Sequence, residues 1–171
     1  MNEARALELL RVEGPDRFAQ IGDRLFRGGQ PSERHLEALR ALGVGTVINL
    51  RREERKSWRA EERHVRALGM EFLRFPFYGV FGADQLFLER ILAEMRRGAA
   101  YIHCKHGRDR TSLLVALFRV RFEGWDAQLA WQREVLEYGY QPTYFYRKLR
   151  TTYDRFVRRA PLLLEPHRPA S

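Results

Sequence analysis

The 171-residue chain has one cysteine, Cys104, in the stretch Tyr101-Ile102-His103-Cys104-Lys105-His106-Gly107-Arg108-Asp109-Arg110-Thr111. An apolar run closes on His103-Cys104, a polar loop with Gly107 at its middle follows, and Arg110-Thr111 opens a second hydrophobic segment. A loop that turns from a strand end into a helix start gathers backbone N–H groups into one concavity, and such a concavity binds a tetrahedral oxyanion. Gly107 allows a turn that a side chain would obstruct. Arg110 offers a planar fork to two oxygens of one phosphate. Cys104 sits where those N–H groups and the positive end of the next helix favour an anionic sulfur. A thiolate at the floor of a phosphate cradle is an in-line nucleophile, and the chemistry implied is phosphoryl transfer through a covalent phosphocysteine. Thr111 is placed to hydrogen-bond that sulfur.

The spacing of Cys104 and Arg110 says little by itself. Of the 31 basic residues, 28 are Arg, spread evenly along the chain. An arginine therefore fills any chosen position about one time in six. The context makes the pattern specific: strand, glycine-containing loop, then apolar helix.

Those elements follow from periodicity. Residues 3–12 read as a short amphipathic helix, 18–21 and 25–26 as strands around a turn at Gly22-Asp23, and 27–32 as a loop in which Pro31 or Ser32 opens the next helix. Residues 46–50 are a buried strand, charges crowd from 51 to 63, an amphipathic stretch runs to Leu68, and 70–77 form a further strand. Residues 78–83 are read as a loop, and Asp84 as the N-cap of a helix whose stripe is Leu88, Ile91, Leu92 and Met95. Residues 99–103 are a buried strand, and 111–122, apolar nearly all round, a buried central helix; helices over 126–138 and 143–157 follow, the latter with Phe145, Leu149, Tyr153 and Phe156 inward. The alternation predicts an α/β three-layer single domain over residues 1–160, with a central mostly parallel sheet of about four to five strands flanked by helices. Residues 161–171, with three prolines between 161 and 169, read as a frayed tail.

Composition narrows the classes. With 44% hydrophobic residues the chain can build a core, and no apolar run approaches the roughly 20 residues of a membrane span. The first turns carry Glu3, Arg5 and Glu8, so no secretory signal is visible, and a cytoplasmic location is expected. One cysteine makes no internal disulfide and no multi-cysteine metal site, and no metal or cofactor is expected. The net charge of +9 reads as an Arg-rich surface, compatible with a polyanionic substrate but with no nucleic-acid motif behind it.

His103-Cys104-Lys105-His106-Gly107-Arg108-Asp109-Arg110-Thr111 resembles the HC-x5-R-[ST] signature of the cysteine-based protein tyrosine phosphatases, in their compact dual-specificity branch and closest to its small bacterial and plant atypical members. Leu25-Phe26-Arg27-Gly28-Gly29-Gln30-Pro31 and Gly45-Thr46-Val47-Ile48-Asn49-Leu50-Arg51 stand in the order and spacing of that group, so the resemblance spans roughly residues 20–140. Ser112 departs from it, since the family usually has glycine there. The resemblance implies a metal-independent phosphatase acting on phosphoproteins (Tyr or Ser/Thr) or on inositol phosphates and phosphoinositides; a monomer is expected, although the sequence does not name the oligomeric state. It makes Cys104 the nucleophile and Arg110 the phosphate clamp, with Lys105, His106, Gly107, Arg108 and Asp109 around the phosphate and His103 supporting the loop; Lys105, His106 and Arg108 are otherwise ordinary solvated loop charges. Lys105 and His106 resemble the basic loops of phosphoinositide-handling members, which favours polyphosphorylated small molecules. Arg27 and Arg51, each after a strand, are either substrate contacts or surface charges, and Asn49 is a satisfied polar group near the loop.

The general acid is the open role. Larger relatives carry an aspartate on a loop near the position of Tyr78-Gly79, where this chain has no carboxylate. Asp84, otherwise an N-cap, and Asp109, otherwise a brace of the loop, are the two candidates; myotubularin-type lipid phosphatases carry an aspartate at the place of Asp109. Two other classes share a cysteine in an anion cradle. Arsenate reductases need further thiols, and rhodaneses rarely follow the cysteine with this arginine and threonine. A catalytically weak phosphate-binding module would be expected to lack Cys104 or Arg110.

Overall fold

The computed structural model describes residues 1–52, 55–77, 83–143 and 148–159. Five strands, β1 Ala19–Ile21, β2 Leu25–Gly28, β3 Thr46–Asn49, β4 Glu71–Arg74 and β5 Ala100–His103, form one sheet in the order β1-β2-β5-β3-β4. Only the β1–β2 pair is antiparallel, because a short turn joins those two strands, whereas each later strand is reached through a helix. The α/β sandwich with a mostly parallel sheet is thus the one the alternation of elements predicts.

Successive residues of the central strands point to opposite faces, and each face has its own helical cover. Ile48 and Ile102 face α4 Gln85–Arg97, α5 Arg110–Glu123, α6 Ala127–Trp131 and α7 Leu149–Arg159, while Val47 and Tyr101 face α1 Glu3–Val12, α2 Glu33–Ala41 and α3 Arg55–Ala67. α5 lies in the middle of its layer and is buried continuously from Arg110 to Leu117. Among the described residues no helix is long and apolar enough to cross a membrane.

Register brings the strand ends together. Gly28 and Asn49 both pair with His103, and Asn49 also pairs with Arg74. The carboxyl ends of β2, β5, β3 and β4 therefore lie at one level, and the chain leaves all of them on the side where open α/β sheets hold ligands.

Some boundaries differ from the sequence reading. β2 continues through Arg27 and Gly28, where glycines suggest a loop, because Arg27 pairs with both Ala19 and Ile102. A Cβ on Gly28 would press on the Tyr101 hydroxyl, so glycine serves close packing here. β4 is only Glu71–Arg74. The helix expected over 126–138 is α6 followed by a π-helical turn, Gln132–Leu136. α7 starts at Leu149 and runs two residues beyond the expected end at 157, to Arg159. Phe145, the loop 78–82 and the tail 161–171 lie outside the described residues.

Candidate active site

Cys104 follows the last residue of β5 and is buried, and the loop after it returns to the N-terminus of α5 at Arg110. Gly107 has φ +64°, and a Cβ there would meet the Gly28 carbonyl carbon at 2.6 Å and the Gly29 nitrogen at 2.8 Å. The loop is thus seated on the Gly28-Gly29 corner, which only a glycine at 107 permits. Lys105 O accepts from Gln30 N at 3.0 Å in the same contact.

Arg110 is buried, and its Nη1 donates to the Leu50 carbonyl at 2.9 Å, which ties the guanidinium to the end of β3. Thr111 Oγ1 is buried and, among the described residues, has no hydrogen-bond partner. Lys105 and His106 are exposed, and His106 Nδ1 lies 3.4 Å from Asp16 Oδ2. Arg108 is half-buried, and its Nε donates to both carboxylate oxygens of Asp109 at 3.2 Å.

Asp109 is the residue before α5 and makes no side-chain hydrogen bond to cap that helix. Burial pushes its carboxyl above the ordinary value; the charge and hydrogen bond of Arg108, with the charges of Arg110 and Arg17, offset this only in part. Asp84, by contrast, is exposed and caps α4, its Oδ1 accepting from Phe87 N at 2.8 Å.

Behind the loop the structure places two buried networks. His103, fully buried and stacked on Tyr101 with ring centroids 5.6 Å apart, has Nδ1 3.3 Å from the Cys104 carbonyl and Nε2 2.7 Å from Glu61 Oε1. The other oxygen of Glu61 accepts from Asn49 Nδ2 at 2.8 Å and Gln30 Nε2 at 2.9 Å. Burial would raise the Glu61 carboxyl, but the charge of His103 and the hydrogen bonds from His103, Gln30 and Asn49 outweigh it and hold the group below its ordinary value. Asn49 Oδ1 accepts from Arg51 N at 2.7 Å, so its amide is satisfied at both ends. Arg51 is half-buried and donates to Gln30 Oε1.

The second network centres on Arg27, which is neither at the surface nor facing the cradle. Its side chain is fully buried: Nη2 donates to the Gly107 carbonyl at 2.7 Å and to Ser112 Oγ at 2.6 Å, while Nη1 donates to Glu134 O at 3.2 Å and Oε2 at 3.1 Å. The guanidinium carbon stands 3.5 Å from the centroid of the Tyr138 ring. Ser112, the departure from the family pattern, is thus an acceptor for a buried arginine.

Sequence reasoning missed Glu61, Glu134, Gln30 and Arg17. Glu61 had a legible signal, since Trp58, Glu61, Val65 and Leu68 recur at helical spacing and a carboxylate on that stripe must be buried or paired. Glu134 and Arg17 stand in charged surroundings and carried none.

Comparison with known proteins agrees with this geometry. Residues 12–141 match the family model described as "DSP-PTPase phosphatase fused to NAD+ Kinase". The chain belongs to the dual-specificity-type cysteine phosphatase family. It is 32% identical over 109 residues to the dual specificity protein phosphatase TpbA of Pseudomonas aeruginosa, covering 62% of this chain and 47% of TpbA. Against an inositol diphosphatase of Oryza sativa subsp. japonica it is 24% identical over 115 residues, covering 61% of this chain and 54% of that protein. The chain thus spans about half the length of the curated relatives it matches. A putative phosphatase of Shewanella putrefaciens shares the fold with a TM-score of 0.72 at 18% identity, over 89% of this chain and 98% of that one. The crystal structure of TpbA does so at 0.67 and 21%, over 84% and 90%. Family and fold stand as the signature around Cys104 implies.

Proposed function

We propose that this protein is a phosphatase that hydrolyses phosphomonoesters through a phosphocysteine intermediate. The observation that carries the reading is the placement of Cys104 at the floor of a loop whose far end seats Arg110 and the N-terminus of a fourteen-residue helix. Sγ of Cys104 attacks phosphorus in line, the bond to the ester oxygen breaks, and that oxygen takes a proton from a carboxylic acid, assigned here to Asp109. The loop N–H groups, the dipole of α5 and Arg110 hold the charge of the equatorial oxygens through the transfer. Water then attacks phosphorus, its proton passes to the Asp109 carboxylate, the P–S bond breaks, and inorganic phosphate leaves with the thiolate restored. No step asks for a metal.

The substrate class follows from the rim. Lys105 and His106 are exposed beside the cradle, which favours substrates with more than one phosphate. The resemblance to TpbA supports phosphoprotein substrates and the resemblance to the rice inositol diphosphatase supports inositol phosphates. The exposed Lys105 and His106 side chains favour the second, including phosphoinositide headgroups. A reaction that runs through one thiol suits a reducing compartment, and the reading keeps the protein in the cytoplasm.

The test is turnover by the purified protein, with a metal chelator present, against phosphotyrosine and phosphoserine peptides, a generic aryl phosphate and a panel of inositol phosphates. Release of phosphate from the aryl ester and, faster, from the inositol phosphates is the expected result. Absence of turnover on all of them overturns the reading.

A further inference from the structure

We propose that Arg17 and Arg27 are positioning residues of the phosphate loop: each draws one of its carbonyl oxygens outward and so turns the next peptide N–H into the cradle. The inference rests on the phosphatase reading for its consequence, but on the geometry of the loop for its content.

Three successive carbonyls of the loop are held from outside. Lys105 O accepts from Gln30 N at 3.0 Å, His106 O from Arg17 Nη1 at 3.2 Å, and Gly107 O from Arg27 Nη2 at 2.7 Å. In a planar trans peptide the C=O of one residue and the N–H of the next point in opposite directions. Pinning the three oxygens outward therefore aims the N–H groups of His106, Gly107 and Arg108 the other way. Among the described residues, none of those three N–H groups donates a hydrogen bond within the protein. Donors of this kind are what a phosphoryl group's oxygens need, and they serve catalysis only if they are in place before the substrate arrives.

Both arginines are anchored at the far end to one short segment. Arg17 Nε donates to Tyr138 O at 2.9 Å, Arg27 Nη1 to Glu134 O and Oε2, and the Tyr138 ring packs on the Arg27 guanidinium. That segment contains the π-helical turn, in which Glu137 N reaches back to Gln132 O. Such a turn shifts the backbone register and leaves a carbonyl for an outside donor, a role Glu134 O fills for Arg27. Glu134 is in turn held by Arg119 Nε at 3.0 Å, so the anchor is itself buried and braced. Arg17 supplies an independent sign. Its φ is +56°, the left-handed region that strains a side chain and leaves a glycine at ease. Its side chain is exposed, yet two of its guanidinium nitrogens are committed to carbonyls 89 and 121 residues away.

Three variants and four measurements test this: affinity for inorganic phosphate by calorimetry, amide hydrogen exchange at residues 106–108, kcat and KM on an aryl phosphate, and Tm. Arg17→Gly relieves the left-handed backbone, so Tm is expected to hold or rise. Phosphate affinity should nevertheless fall about tenfold, the scale of one charge-assisted hydrogen bond. Exchange at 106–108 should quicken, and kcat should fall more than KM rises. Arg17→Lys keeps the charge but cannot span His106 O and Tyr138 O together, and should behave like Arg17→Gly. Arg27→Lys should lose more phosphate affinity and also lower Tm. Wild-type phosphate binding and exchange in Arg17→Gly, or full rescue by Arg17→Lys, overturns the assignment of Arg17; a folded Arg27→Lys that binds phosphate normally overturns that of Arg27. If the wild type binds phosphate but does not turn over the ester, the phosphatase reading falls and the positioning role is still decided by the variants. If the wild type does not bind phosphate, both fall.

Discussion

Glu61 on α3 places Oε1 2.7 Å from Nε2 of His103 on β5, and neither side chain is open to solvent. The pair joins a helix of one layer to the strand that delivers Cys104. Removing the carboxylate leaves His103 and Asn49 without their acceptor, and breaking a buried pair from one side costs about 3–5 kcal/mol. Glu61→Ala should therefore unfold at far lower denaturant than wild type. The pH dependence has a definite sign. The folded-state Glu61 carboxyl lies below its unfolded value, so its contribution is fully present above the unfolded value, about 4.3, and is lost as pH falls toward the folded one. Denaturation midpoints between neutral and acid pH should fall more steeply for wild type than for Glu61→Gln. Parallel profiles would show that the pair carries no pH-linked stability.

Cys104→Ser should abolish turnover of an aryl phosphate, by at least about a thousandfold, and leave the fold unchanged, because serine fills the same buried site. The chain has a single thiol, so labelling reports on this site alone. Alkylation of Cys104 should be blocked by inorganic phosphate or vanadate. Retention of a tenth of the activity by Cys104→Ser would contradict the covalent route.

What the residues made legible was the loop and the sheet beneath it. Cysteine is scarce, with one in the chain, and its place with Gly107 between an apolar strand and an apolar helix marks Cys104–Arg110 without help from distant residues. The parallel sheet followed from the alternation of elements in the same way. The bracing of the loop was not legible, because it depends on contacts across the chain. Arg27 meets Glu134 across 107 residues, and as one of 28 arginines it has no local mark that distinguishes a buried guanidinium from a surface one. The π-helical turn was hidden for a related reason: residues 132–136 have ordinary helical composition, and the carbonyl that Arg27 reaches there, Glu134 O, lies 107 residues away in sequence.

The rim prediction separates the two substrate classes. Lys105 and His106 remain exposed, whereas Arg108 is engaged by Asp109. A charge-assisted hydrogen bond contributes roughly 1.5–3 kcal/mol. Removing both side chains in Lys105→Ala/His106→Ala should therefore reduce kcat/KM on a polyphosphorylated inositol about ten- to a hundredfold for each phosphate interaction removed. On an aryl monophosphate the loss should be small. Equal losses on both substrates would mean that these side chains only tune the field of the loop, and phosphoproteins would become the better substrate class. Asp16 faces His106, so Asp16→Asn should sharpen the preference for the polyphosphate.

The acid can be assigned by leaving group. Departure of an alkoxide needs a proton in the transition state, whereas a good aryl leaving group hardly does, and general acid catalysis contributes about 10²–10⁴-fold. Burial raises the Asp109 carboxyl, so it keeps its proton to higher pH than an ordinary aspartate and can still donate it. Asp84 commits Oδ1 to the Phe87 N–H at the exposed start of α4, an arrangement that accounts for it as a cap. Asp109→Asn should therefore slow alkyl phosphates by two orders of magnitude or more, on the scale of about 10²–10⁴ just given, spare activated aryl phosphates, and remove the basic limb of the pH–rate profile. Stability should move the other way. A carboxyl raised by burial makes its ionised form unfavourable to the fold above that pKa, so Asp109→Asn should hold or raise Tm at neutral pH. Asp84→Ala should instead lower stability by about 1 kcal/mol, the worth of an N-cap, with no dependence on leaving group. A uniform loss across leaving groups in Asp109→Asn, joined to a graded loss in Asp84→Ala, would transfer the acid role to Asp84 and make Asp109 a brace for Arg108.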